Sequence, residues 1–195
     1  MIQNFIGISK FLLAAALGSL MLSAAPAQAT EIEGYNFPND TQAAGQPVKL
    51  VGVGVRTKWM MNIYVMGAYM ATPKKSASAL INNDEPKMMW LHMMRGIGAD
   101  KMREAIDTGL EKNVAAAERA RIAPDVDKIK AAFPSDISKN LDMQFIYTPA
   151  GGFALKIGSA VKFSSPDKGL AKAMFSMWFG PSPNDKDLKK QVLGE

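Results

Sequence analysis

LVGVGVRTKWMMNIYVMGAYM, residues 50–70, places one arginine inside a β-patterned stretch punctuated by glycine. Side chains alternate along a strand, so Leu50 to Lys58 sets Val51, Val53, Val55 and Thr57 on one face and Gly52, Gly54, Arg56 and Lys58 on the other. The valine face reads as core. On the opposite face two glycines remove side chains just ahead of Arg56, which is how a strand admits a close neighbour. The second run, Asn62 to Met70, sets Asn62, Tyr64, Met66, Ala68 and Met70 against Ile63, Val65, Gly67 and Tyr69. A three-residue turn at Trp59–Met61 would put Arg56 opposite Tyr64 on a shared face; a two- or four-residue turn would break that pairing.

Upstream, Lys10, the apolar run Phe11 to Ala25 and the small-residue site Ala27-Gln28-Ala29 have the order of a secretory signal, with cleavage predicted after Ala29. Residues 1–29 are thus a leader and 30–195 one domain, exported to the periplasm. The apolar run is short for a bilayer span, and no later segment approaches the roughly 20 apolar residues of a transmembrane helix. No stable membrane insertion is expected once the leader is removed.

The formal net charge of +5 is spread along the chain without a Lys/Arg run, which argues against a nucleic-acid partner. Cysteine is absent, so disulfides, thiol nucleophiles and Cys-ligated metals are excluded. The single histidine, His92, lies in the apolar run Met88 to Met94 and reads as structural; sites needing two histidines are excluded too. Neither a metal nor a cofactor is expected.

Thr30 to Pro47 reads as a polar lead-in with a short strand at its start. Ser76 caps a short helix, SASALINND, and Lys87 to Arg95 is a strand. Met102, Ala105, Ile106, Gly109, Leu110 and Val114 recur at helical spacing over about Asp100 to Ala117. Pro124 is placed to start a further helix, Asp125 to Phe133. Leu141 to Thr148 and Phe153 to Ile157 form a second hairpin around Pro149-Ala-Gly-Gly152, and Gly158 to Phe163 adds a strand. Helices Asp167 to Phe179 and Asp185 to Leu193, the latter after an Asn184 cap, close the chain. The class is α+β with an antiparallel sheet.

The pattern Gly52-Val-Gly54-Val-Arg56, the strand NIYVMGAYM and the tail SMWFGPSPNDKDLKKQVLGE together resemble the chalcone isomerase-like family, in particular its exported bacterial branch. The resemblance covers most of Gly34 to Gly194. It implies an open-faced β-sandwich: a large antiparallel sheet covered on one side by helices, with a ligand cleft between them. In the plant enzymes the arginine of this pattern stabilises oxyanion charge during intramolecular ring closure, and Arg56 matches it. Those enzymes have threonine where this chain has Tyr64. Aligned on Lys101 to Ile106, they carry a water-ordering tyrosine where this chain has Met102 and a substrate-contacting asparagine at Gly109. Fatty-acid-binding members instead hold a carboxylate with an Arg and a Tyr of this hairpin, which Arg56 and Tyr64 resemble.

A guanidinium fork meets a carboxylate in bidentate fashion, and a phenol donates one further bond. The competing reading of Arg56 is an internal salt bridge or a guanidinium reaching the sheet edge; that of Tyr64 is a core tyrosine with its hydroxyl satisfied internally. The methionine pairs 60–61, 88–89 and 93–94 suit an adaptable apolar pocket or plain core. Lys58 and Asn62 flank the turn, facing solvent or the cleft mouth. The expected function is non-catalytic binding of a small amphipathic, fatty-acid-like carboxylate at Arg56, Tyr64, Gly52, Gly54 and Met66. An isomerase of the intramolecular lyase type, using Arg56 and Tyr64, is the alternative.

Overall fold

The computed structural model describes residues 28–195. The strands are β1 (Ala29–Ile32), β2 (Tyr35–Pro38), β3 (Asp40–Ala43), β4 (Gln46–Lys58), β5 (Met61–Met70), β6 (Lys87–Met93), β7 (Ile97–Gly98), β8 (Asp136–Ile137), β9 (Asp142–Thr148), β10 (Gly152–Ile157) and β11 (Ala160–Ser165). The helices are α1 (Ala77–Asn82), α2 (Ala99–Asn113), α3 (Ala116–Ala132), α4 (Lys168–Phe179) and α5 (Lys186–Leu193). Seven strands form one antiparallel sheet in the order β11-β10-β9-β6-β5-β4-β3. The expected α+β sheet-and-helix fold is what forms. The predicted leader lies outside the described residues except for Gln28 and Ala29, and Ala29 already pairs with Pro38.

Helices cover one face of this sheet. There Tyr64, Met66, Ala68 and Met70 of β5 join Met89, Leu91, Phe145 and Leu155 in the main core against α4, of which nine residues are buried. A helix that is apolar around most of its circumference belongs between layers. On the other face a smaller core forms around Phe37, Val48, Val65, Tyr69, Met88 and Ile146 beneath the β1–β2 hairpin, with Tyr35 stacked on His92 at 3.8 Å. His92 hydrogen-bonds Asp142 through Nδ1 at 2.8 Å.

The β4–β5 hairpin departs from strict alternation twice. Its turn has two residues, Trp59 and Met60, not the three considered above, so Lys58 pairs with Met61 and Thr57 with Asn62. A bulge then leaves Ile63 unpaired and restores the Arg56–Tyr64 pairing that a two-residue turn alone would break. A second bulge leaves Val51 unpaired between the Leu50–Tyr69 and Gly52–Ala68 pairs. Each extra residue changes face: Val51 and Ile63 pack with the helix-side core, whereas Val53 and Val55 pack under the β1–β2 hairpin. Trp59 and Met60 both have positive φ, 49° and 62°, as a type I′ turn requires. That region costs non-glycine residues roughly 1–2 kcal/mol each.

Other boundaries moved for identifiable reasons. The lead-in holds three strands, β1 to β3. Helix α3 begins at Ala116 and runs through Pro124, because Ile122, Val126 and Ile129 bury one continuous stripe on both sides of the proline. The break falls earlier, where Arg119 donates to the carbonyls of Glu111 and Val114 and so caps α2. The cap of α5 is Asp185, accepting from the amides of Asp187 and Leu188, not Asn184. Ser76 and Asp167 cap α1 and α4. Among the described residues no helix is long and apolar enough to cross a membrane.

Candidate functional site

A cavity of about 400 Å³ opens between the turn end of the β4–β5 hairpin, one face of α2 from Lys101 to Lys112 and the segment before α5. This volume lies within the range of small-molecule sites. Its inner wall is Tyr64 and Met102, both nearly inaccessible to solvent, with Ile63, Ile97 and Ala105 adding apolar surface. Trp59, Met61 and Lys58 stand at its rim.

Arg56 and Tyr64 both line this cavity, facing each other across the hairpin with the guanidinium carbon 5.8 Å from the ring centroid. Burial opposes the Arg56 charge, but Tyr64 and Asp185 outweigh it and raise the pKa, so the guanidinium stays cationic. It forms no ion pair within 4.0 Å among the described residues. A half-buried guanidinium facing a cavity, with no carboxylate in ion-pair contact among the described residues, keeps donors that can meet an anion. Tyr64 Oη accepts a 3.0 Å hydrogen bond from Trp178 Nε1. The hydroxyl proton has no protein acceptor among the described residues and is available to a ligand.

Three further residues expected at this site lie elsewhere. Gly52 and Gly54 sit beneath α5 and not in the cavity: a Cβ on Gly52 would come within 2.1 Å of the Val192 carbonyl oxygen, and one on Gly54 within 2.7 Å of Leu188. They clear the sheet for α5, whose Gln191 side chain accepts from the Val55 amide at the uncovered flank of β4. Met66 is fully buried in the main core. Of the two turn-flanking residues, Lys58 lines the cavity, whereas Asn62 donates to Glu33 at 2.9 Å.

Most of the cationic rim was not legible in the sequence. Besides Arg56 and Lys58, the cavity is lined by Arg95, Lys101 and Lys112, against a single acid, Glu104, held by Lys101 at 3.1 Å. Arg95 is fixed by its bonds to the Asn62 carbonyl and the Met61 sulfur. The helical spacing of Lys101, Thr108 and Lys112 beside the buried stripe of Met102, Ile106 and Leu110 was the available signal; it reads equally as a solvated face. Gly109 lies at the α2–α4 crossing, where a Cβ would meet Met177 at 2.8 Å.

No curated protein matches this chain. Among solved structures it is similar to a fatty-acid binding protein of Arabidopsis thaliana, with a TM-score of 0.67 and 16% identity over 85% of this chain and 96% of that one. At that identity the likeness concerns the fold. Residues 29–194 match the family model described as chalcone isomerase-like, and the chain therefore belongs to the chalcone isomerase-like family.

Proposed function

We propose that this protein is an exported, periplasmic, non-catalytic binder of a small amphipathic carboxylate of the fatty-acid class. The observation that carries this reading is the Arg56 guanidinium, cationic and without a carboxylate partner among the described residues, beside the Tyr64 hydroxyl in an apolar-walled cavity. The acid group takes the guanidinium fork and the phenol proton; the alkyl portion lies along Ile63, Ile97 and Met102. The surplus of cations at the rim adds a field that concentrates anions. The fatty-acid binding protein of the same fold supports this ligand class, and the signal-like order of residues 1–29 supports export.

Ring-closing catalysis needs a group that moves a proton near the substrate. At the position where the related enzymes order a water, the wall carries the Met102 thioether, which favours holding a ligand over transforming one. Native mass spectrometry of the purified protein tests the reading: a co-purifying or added long-chain acid binds the wild type and is lost in Arg56→Ala. An empty protein indifferent to fatty acids would sink it. Flavanone formation above the uncatalysed background, abolished by Arg56→Ala, would replace it with the lyase.

A further inference from the structure

Trp59, Met60 and Met61 are three of the four exposed large apolar side chains among the described residues, and they are consecutive. Trp59 is 79% and Met60 98% exposed, the most exposed large apolar side chains among the described residues. They occupy the two left-handed positions of a type I′ turn, where Asn-Gly would be relaxed and water-compatible. The turn backbone therefore does not call for these residues, and backbone strain of this kind is characteristic of functional positions.

The surroundings say what they meet. Lys58 lies against the Trp59 ring at 4.8 Å, and Arg95, just beyond β6, is held to Met61 at 2.7 Å, so a cation flanks the apolar tip on each side. Lys101 and Lys112 continue the positive surface along the same cavity rim. Glu33, the acid bonded to this end of the hairpin, is engaged by the Asn62 amide. Tryptophan and methionine projecting from a basic collar match the interface of an anionic bilayer, where an indole sits among headgroups while Lys and Arg meet lipid phosphates. A polar protein surface would leave both side chains without partners.

We propose that the β4–β5 tip, Trp59-Met60 with Lys58 and Arg95, docks this protein peripherally on an anionic lipid surface, with the cavity mouth facing the membrane. Trp59 and Met61 belong to both the tip and the cavity lining, so docking apposes the opening to the lipid.

The test uses the full chain with vesicles of phosphatidylcholine alone or mixed with phosphatidylglycerol, some containing brominated acyl chains. Residues 1–29 hold no tryptophan, and Trp90 and Trp178 lie in the two cores, so contact quenching reports Trp59. We expect salt-sensitive quenching with the anionic vesicles, lost in Met60→Asp, which keeps the fluorophore. The double variant Trp59→Asn/Met60→Gly, which relaxes the turn and stays folded, should show at least about tenfold weaker vesicle partitioning than wild type. Quenching undiminished by Met60→Asp, no quenching with any vesicle, or a dimer in sedimentation that the double variant dissociates would each overturn the proposal. Fatty-acid binding measured in the absence of vesicles should be unchanged in Met60→Asp and at least about tenfold weaker in Arg56→Ala, which separates failure of docking from failure of the binding site.

Discussion

Trp178 Nε1 donates to Tyr64 Oη at 3.0 Å across the interface between α4 and β5. The bond fills an acceptor site on the phenol oxygen and leaves its proton for the cavity, so a tryptophan outside the cavity lining sets how Tyr64 presents itself. Trp178→Phe keeps the edge-to-face contact with Phe145, whose ring lies 4.9 Å away, but removes that donor. Urea denaturation should report a loss of about 1–3 kcal/mol. Fatty-acid affinity should fall less than in Arg56→Ala, because Tyr64 keeps its proton and loses only its orientation.

Arg56→Ala should weaken carboxylate binding by about 1.5–3 kcal/mol, the range for hydrogen bonds to a charged group. Arg56→Lys should recover part of that loss: an ammonium keeps the charge without the planar fork. Displacement of a fluorescent fatty acid measures both. Equal affinity in all three proteins would refute the assignment of Arg56.

Gly52→Ala introduces a methyl within 2.1 Å of a backbone oxygen of α5, which cannot rotate away. A loss of about 1–3 kcal/mol is expected, accompanied by faster amide exchange in Leu188 to Val192. Gly98→Ala is the control: nothing lies within 4 Å of that position, and it should stay within about 0.5 kcal/mol of wild type.

Lys87 is almost wholly buried, with its Nζ donating to the Ile81 and Asn83 carbonyls at the end of α1. Burial lowers its pKa from 10.5 to about 8. The unfolded chain holds this proton to higher pH than the folded one, so between about pH 8 and 10.5 the unfolded state binds more protons and stability rises with pH. Urea midpoints across that window should show the rise in wild type and not in Lys87→Met. A parallel pH dependence in the two proteins would assign it to other groups.

Trp59→Asn/Met60→Gly should stabilise the fold by about 1–2 kcal/mol, since two strained residues are replaced by the pair that adopts this turn readily. Thermal unfolding checks this independently of any lipid. An unchanged or lowered midpoint would mean that the tip side chains hold the hairpin together.

The mixed sheet-and-helix class, the β4–β5 and β9–β10 hairpins, and the Ser76 cap could be read from the chain because each depends on residues within a few positions of one another. The β1–β3 strands escaped that reading: they are polar on their exposed sides, and their Glu33-Gly34 and Ala44-Gly45 turns carry only weak local signals. Pro124 was read as a helix start, whereas the buried stripe of Ile122, Val126 and Ile129 outweighs one lost backbone bond.

At the site, the local pattern by itself singled out an arginine and a tyrosine that could share a face, and the glycines that clear space beside them. Tertiary structure decided the rest. The bulge at Ile63 restores the Arg56–Tyr64 pairing that the two-residue turn had shifted, and α5, more than a hundred residues further along, takes the space above Gly52 and Gly54. The cations of α2 reach the cavity only because that helix packs over the hairpin end. Alternation along a strand is a local property of the backbone; which neighbour fills a cleared face depends on the packing of distant elements.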